Sequence, residues 1–270
     1  MNLNTITEVK RPKSLEEIEW RDGHAFLGGG TWLFSEPQVA TDTLVDLERL
    51  GWPALTVTPE GLEIAATCRI VELHDFKGPA DWKAVPLFDK CIDAFLMSFK
   101  IWNAATVGGN VVMSLPAGAM VSLTAALEGV CTLWPQRGEP RQVPVVDFVT
   151  GNHQNVLQKG ELLRSIHLPA ASLRKRFAMR QASLTHFGRS AALIIATVGD
   201  SGDDFLLTVS AATPRPVHIR FKKTPSATEL RQAIDARLPP DAWFADVHGS
   251  APYKRHVTHY LAERIRAELS

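Results

Sequence analysis

The chain has 270 residues, 45% of them hydrophobic, which is enough to bury sizeable cores and suits two domains or one with subdivisions. Lysine plus arginine and aspartate plus glutamate both number 29, so the balance removes any global electrostatic argument for nucleic acid or an anionic membrane and leaves association with other proteins easier to reconcile. The cysteines, Cys68, Cys91 and Cys131, are widely spaced with no Cys-x-x-Cys pair, so they offer no zinc or iron–sulfur site and read as buried reduced thiols of a cytoplasmic protein.

Residues 1–21 carry Glu8, Lys10, Arg11, Lys13, Glu16, Glu17 and Glu19 and hold no apolar core of signal-peptide type, which predicts a protein not exported by that route. Ser14-Leu15-Glu16-Glu17 is a capping-box pattern and predicts a short helix ending near Asp22-Gly23. Residues 24–27 then read as a strand that delivers the glycine cluster Leu27-Gly28-Gly29-Gly30-Thr31. Another strand is expected at 43–47, and 55–58 with 62–65 alternate around Pro59-Glu60-Gly61 as a hairpin. A first small α+β unit ends near Thr56.

Residues 70–76 and 85–99 space their apolar side chains as helices do, with Phe88, Ile92, Phe95 and Phe99 in one core-facing stripe. A second glycine cluster, Ala105-Thr106-Val107-Gly108-Gly109-Asn110, follows as a loop. A helix over 121–128 comes next, then a hairpin of 130–134 and 142–146 around Gln136-Arg137-Gly138, then a strand at 162–168. Past Pro169 the basic link Arg174-Lys175-Arg176 leads to strands at 177–180, 193–198 and 205–210, a run that implies an antiparallel sheet. Helices over 228–238 and 253–269 close the chain, the latter with Val257, Tyr260, Leu261 and Ile265 on one face. The apolar run 191–198 is too short to span a bilayer. The expected division is 1–170, subdivided at about 1–56 and 57–170, followed by 171–270.

Each glycine cluster follows an apolar stretch and offers backbone N–H groups that no side chain shields. Either one alone reads as a tight turn or bulge. Together they suit one long phosphate-bearing ligand, because adjacent N–H dipoles at glycine can converge on a pyrophosphate. The pattern has no Gly-x-Gly-x-x-Gly opening a βαβ unit and no Gly-x-x-x-x-Gly-Lys-Ser/Thr, so it supports neither a Rossmann domain nor a P-loop. His24, His74, His153, His167 and His186 have no partner at catalytic spacing, and Asp81, Asp89 and Asp93 do not share a helix face that would hold a metal. Residues 183–190, which include Gly188 and Arg189, read as a mobile loop near the bound ligand or a plain strand connection.

The two clusters, with Pro116-Ala117-Gly118, Gly160-Glu161-Leu162-Leu163 and Arg180-Gln181-Ala182-Ser183, occur in an order that resembles the medium, FAD-binding subunit of molybdenum hydroxylases, the xanthine dehydrogenase and carbon monoxide dehydrogenase type. The resemblance runs from Lys10-Arg11-Pro12 to Tyr253-Lys254-Arg255-His256, and the stretch from Thr106 to Asn110 is its most specific part. It implies an α+β fold: a two-part FAD-binding domain of the PCMH type, then a smaller C-terminal domain with a three-stranded antiparallel sheet and helices. It also implies that Leu27, Gly28, Gly29, Gly30, Thr31, Trp32 and Leu33 on one side, and Thr106, Val107, Gly108, Gly109 and Asn110 on the other, hold the FAD pyrophosphate and ribityl chain. By the same resemblance Leu163 packs on the flavin ring and Arg180 lies near its polar edge, where a fixed cation steadies the reduced, negatively charged flavin. The chain departs from the pattern at Trp32, where an acidic or small polar residue is usual, at Trp102, where arginine is usual, and at Ala119, which replaces an aspartate that contacts ribityl or ribose hydroxyls.

The implied function is electron transfer with no catalytic side chain and no metal on this chain. FAD would collect electrons from [2Fe–2S] clusters on a small partner subunit and pass them to NAD or another acceptor, with the molybdenum cofactor on a large partner subunit of a cytoplasmic heterotrimer. Two readings from other classes stay open: a structural subunit whose flavin site has degenerated, motivated by Ala119 and Trp32, and a stand-alone flavin oxidase.

Overall fold

In the computed structural model, which describes residues 3–270, the N-terminal segment builds a parallel sheet of β1 (Glu8–Lys10), β2 (His24–Leu27) and β3 (Thr43–Asp46), with β3 in the centre. All of β3 is buried, and its Val45 sits opposite Lys10 and Phe26 on its two neighbours. Residues 1 and 2 of the charged N-terminal stretch lie outside the described residues. The capping-box pattern yields only a 3-10 turn, Leu15–Glu17, in which Ser14 makes no side-chain cap bond; the Lys13 N–H instead donates to Glu17 Oε2 at 2.8 Å. None of the turn's residues is buried, so a longer helix would have no core to pack on and would bear its nucleation cost alone.

The middle of the chain wraps an antiparallel sheet with helices. Its strands are β4 (Leu55–Thr58), β5 (Gly61–Ala65), β6 (Val130–Trp134) and β7 (Arg141–Pro144), then, past the short pair β8 (Val149–Gly151) and β9 (Gln154–Asn155), β10 (Leu162–Pro169). The sheet order is β4-β5-β10-β6-β7, so both hairpins expected from the turn residues are present and the long β10 joins them. The helices are α1 (Ile70–His74), α2 (Pro86–Asp93), α3 (Phe99–Trp102), α4 (Val107–Met113), α5 (Ala119–Ala126) and α6 (Val145–Phe148).

Two expectations change here. The stripe of four aromatic and aliphatic residues breaks: Phe88 and Ile92 are buried, but α2 stops at Asp93, Leu96 turns the chain at φ 55°, and Phe99 is 68% exposed. The second glycine cluster is not a loop but the first turn of α4. Thr106 is its N-cap, accepting from the Gly109 N–H at 3.0 Å.

After α7 (Ala170–Arg174), the strands β11 (Arg176–Ser183), β12 (Ser190–Val198), β13 (Asp203–Ser210) and β14 (Val217–Lys223) form an antiparallel sheet in sequence order. The expected antiparallel sheet is thus present and carries a further strand, β14. The helices α8 (Ala227–Arg237) and α9 (Ala251–Leu269) follow the strands, and α9 packs on β11 and β12.

β12 explains its own apolar run. All of it is buried because it is covered on both faces: Leu193 and Ile195 join the core of the middle sheet, while Ala192, Ile194 and Ala196 join a second core with α8 and α9. α5 plugs the seam from the other side. Every residue from Ala119 to Ala126 is buried, as expected of a helix apolar all round, and it packs against β12 and β13. The seam carries specific polar contacts: Ser122 Oγ to Ser210 Oγ at 2.7 Å, and His218 Nε2 to the Ala125 carbonyl at 3.0 Å. At its edge Lys175 donates to Glu128 at 3.0 Å and Asp204 at 2.6 Å, and Arg220 pairs with both carboxylates.

Candidate functional site

A cleft of about 670 Å³ opens where the loop after β2, the segment around α3, α4 and the start of α5, and the C-terminal residues 189–190 and 244–248 meet. Its size falls within the roughly 300–1,000 Å³ usual for ligand and cofactor sites. No helix among the described residues is long and apolar enough to cross a membrane, and no metal-holding group of His, Cys, Asp or Glu occurs among them. The thiols of Cys68 and Cys131 are pushed up to about 12 by burial, and that of Cys91 rises for the same reason, so none is a nucleophile at neutral pH.

The first glycine loop is shaped by its contact with the second. Gly29 lies so close to the backbone before α4 that a Cβ there would sit 1.6 Å from the Ala104 carbonyl oxygen, and Gly28 faces the Thr106 hydroxyl. The loop then turns back on itself through the Phe34 N–H, which donates to the Gly30 carbonyl at 2.8 Å, and the Ser35 N–H, which donates to the Trp32 carbonyl at 2.8 Å. The backbone N–H groups of Gly29, Gly30, Thr31, Trp32 and Leu33 find no acceptor among the described residues. Unpaired main-chain donors in succession along one wall of a cleft are a ready anion site.

The second cluster is different. Its N–H groups from Val107 to Asn110 are committed inside the chain: Val107 to the Cys68 carbonyl at 2.8 Å, Gly108 to the Ala66 carbonyl at 3.1 Å, Gly109 to Thr106 Oγ1 at 3.0 Å and Asn110 to the Thr106 carbonyl at 3.1 Å. Gly108 is glycine because a Cβ would meet the Ala66 Cα at 2.5 Å. The clusters therefore touch one another rather than facing each other as paired amide nests.

All seven residues from Leu27 to Leu33 line the cleft, as do Thr106, Gly109 and Asn110, whereas Val107 and Gly108 are buried in the first turn of α4 and do not reach it. Asn110 Oδ1 accepts from the Met120 N–H at 3.0 Å, tying α4 to the start of α5. Leu163 and Arg180 are not brought to the cleft. Leu163 is buried in the middle-sheet core opposite Leu133, and Arg180 pairs with Glu268 of α9 while donating to the Met179 carbonyl at 2.8 Å.

Trp32 stands in the cleft wall with its ring 5.5 Å from that of His153, whose backbone is held at φ 56° with its N–H on the Ser114 carbonyl at 3.0 Å. Trp102 turns away from the cleft to the His74 ring at 5.1 Å, and Ala119 is buried without a polar side-chain atom. Sequence reasoning missed Asn152 and the 244–248 segment, weighed His153 only as a histidine without a catalytic partner, and met Arg189 only within the 183–190 loop; all of them except Ala245 line the cleft. The turn signals at Gly151-Asn152 and Asp246-Val247-His248-Gly249 mark both as connections, but the second comes to this wall only because β12 and β13 pack on α5 while α9 packs on β12.

The family profile described as "FAD binding domain in molybdopterin dehydrogenase" matches residues 6–171. No curated protein matches the sequence. Among solved structures, the chain is similar to one of carbon monoxide dehydrogenase from Hydrogenophaga pseudoflava, with TM-score 0.81 and 19% identity over 96% of each chain. It is also similar to a chain of the Oligotropha carboxidovorans carbon monoxide dehydrogenase, with TM-score 0.78 and 20% identity over 96% of this chain and 97% of that one. A chain of quinoline 2-oxidoreductase from Pseudomonas putida 86 aligns with TM-score 0.78 and 17% identity over 97% and 96%. At these identities the likeness is one of fold, while the profile spans well over half of the sequence, so the chain belongs to the family of FAD-binding domains of molybdopterin dehydrogenases.

Proposed function

We propose that this chain is the FAD-carrying, electron-transfer subunit of a molybdenum hydroxylase or dehydrogenase, with residues 1–170 forming the FAD-binding unit and 171–270 a C-terminal unit that completes the cleft. Its partners are a small subunit with [2Fe–2S] clusters and a large one with the molybdenum cofactor, and electrons leave to NAD or another acceptor. The observation that carries this reading is the run of unpaired amides from Gly29 to Leu33 along a largely apolar cleft. The residues present fit the cofactor: main-chain donors suit a diphosphate without needing a lysine, and the walls from Phe95, Met97, Ile101 and Trp32 suit flat ring systems.

When bound, FAD supplies the exchange between single-electron and paired-electron transfer that the protein's side chains cannot. The work of the chain is to position and shield. The first loop would hold the phosphates, Trp32 and the apolar residues before α3 would exclude water from the ring surfaces, and Arg189 would add a cation to the lining. The roles that resemblance assigns to Leu163 and Arg180 draw no support from the cleft lining, and the reading rests on the other residues.

The test is direct. The purified chain should show a flavin spectrum, release FAD on denaturation, and gain about 2.7 kcal/mol of stability with FAD at a hundredfold its Kd. It should also co-purify with its iron–sulfur and molybdenum partners and pass no electrons from substrate without them. A colourless protein that joins the same partners, with a thermal midpoint indifferent to FAD, would establish the structural-subunit reading, which the commitment of every amide from Val107 to Asn110 favours. Turnover of a small molecule by the isolated chain would establish an oxidase.

A further inference from the structure

Among the described residues that line the cleft, Asp246 is the sole carboxylate. It opens a tight turn in which its N–H donates to the Gly249 carbonyl and the Gly249 N–H returns to its own, both at 3.2 Å. Its Oδ1 accepts twice, from the His248 N–H at 2.8 Å and from Lys254 Nζ at 2.9 Å. Lys254, on α9, is 0% exposed, yet its ammonium also donates to the Ala211 carbonyl at 3.1 Å and lies 5.3 Å from the centroid of the Phe244 ring.

A charge so removed from water is tolerated only with a partner, and Asp246 is the carboxylate that partners it. The bonds continue across the seam, because the Ala211 N–H donates to the Pro116 carbonyl at 2.8 Å and Pro116, Ala117 and Gly118 line the cleft just before the buried Ala119. Asp246 is thus pinned from behind and anchored to the wall contributed by the N-terminal half. Its Oδ2 has no partner among the described residues, and the side chain keeps 21% exposure.

We infer that Asp246 is a cofactor-binding residue whose Oδ2 accepts a hydrogen bond from a hydroxyl of FAD, on the ribityl chain or on the adenosine ribose. The inference rests on the FAD reading above. A carboxylate repels the diphosphate and so selects the donors of the molecule, of which sugar hydroxyls are the most numerous. Asn110 Oδ1, another side-chain acceptor of the lining, already accepts from the Met120 N–H. Fixing the carboxylate through a buried lysine holds it in position before the ligand arrives, so little ordering remains to be done on binding.

The experiment compares flavin-stripped full-length wild type with Asp246→Asn and with the double variant Asp246→Asn plus Lys254→Met, which removes the buried charge together with its partner. Flavin fluorescence titration reads the affinities for FAD and FMN, and thermal-shift titration reads that for ADP. Both variants should bind FAD about 10- to 100-fold more weakly, the effect of one lost charge-assisted hydrogen bond, while the double variant regains the thermal midpoint. A parallel loss for FMN places the hydroxyl on the ribityl chain, and a loss for ADP places it on the ribose. Wild-type affinity for FAD in the folded variants, or a loss shared by neither FMN nor ADP, overturns the inference while leaving FAD binding intact. Failure of the wild type to bind FAD overturns both.

Discussion

The two glycine clusters share a composition and a neighbourhood, yet the structure gives them opposite work. In the first, glycine lets the chain press against the Ala104 carbonyl and leaves a row of amides without acceptors. In the second, glycine lets α4 press against Ala66, and every amide from Val107 to Asn110 is spent on holding that helix in place. On the proposed reading, what separates a binding loop from a structural one is where the N–H groups go, since a buried backbone donor must find a partner and an unpaired one is open to a ligand.

Substitution at the two clusters should separate along the same line. The largest effect is expected for Gly29→Ala, whose Cβ would fall 1.6 Å from the Ala104 oxygen and push the loop out of position. Losing two or more charge-assisted bonds to phosphate should weaken FAD by about 100-fold or more in a fluorescence titration. Gly108→Ala, with a Cβ 2.5 Å from Ala66, should instead lower stability by about 1–3 kcal/mol in urea denaturation, with little change in the FAD affinity of the folded protein. Equal losses of affinity at both positions would break the comparison. Thr106→Ala removes the cap on α4 and should cost about 1 kcal/mol, measured in the same way.

The smallest change is expected at the seam between the middle sheet and the C-terminal sheet, and it is set by pH. Burial works to raise Glu128 and Asp204, but the ammonium of Lys175, helped by Arg220, wins and holds both below their ordinary values of 4.5 and 3.8. Their contribution to folding is thus fully present above those values and is lost as pH falls through the lowered ones, so the acid limb of stability should lie below about pH 4. Each pair is partly exposed and worth about 0–1 kcal/mol. Lys175→Met should flatten that limb in a series of thermal midpoints. A slope unchanged by the substitution would place the acid sensitivity elsewhere.

Much of the fold was legible because its periodicities are local. The hairpins at Pro59-Glu60-Gly61 and Gln136-Arg137-Gly138, the long β10 and the amphipathic α9 all announce themselves by alternation or helical spacing within a few residues. α4 did not, because paired glycines in a first turn are poor helix formers, and only burial against Ala66 and Cys68 overrides that preference. β14 was hidden although Val217, Ile219 and Phe221 alternate, since prolines precede it and Lys222-Lys223 end it. In the site, the first loop stood out only in company with the second cluster and the family resemblance, since either run of glycines alone reads as a turn. The wall at 244–248 did not stand out, because it reaches the cleft only through the packing of α9 and β12 against distant elements.

The placement of the sulfur atoms has a practical consequence. Cys68, Cys91 and Cys131 are fully enclosed in the core of the middle sheet, and residues 171–270 contain no cysteine. A maleimide added to the native protein can react only when that half opens, so its labelling rate is a clock for excursions of the flavin-side core, blind to motions confined to the C-terminal sheet. Slower labelling in the presence of FAD would measure how far the ligand suppresses those openings, without any engineered probe.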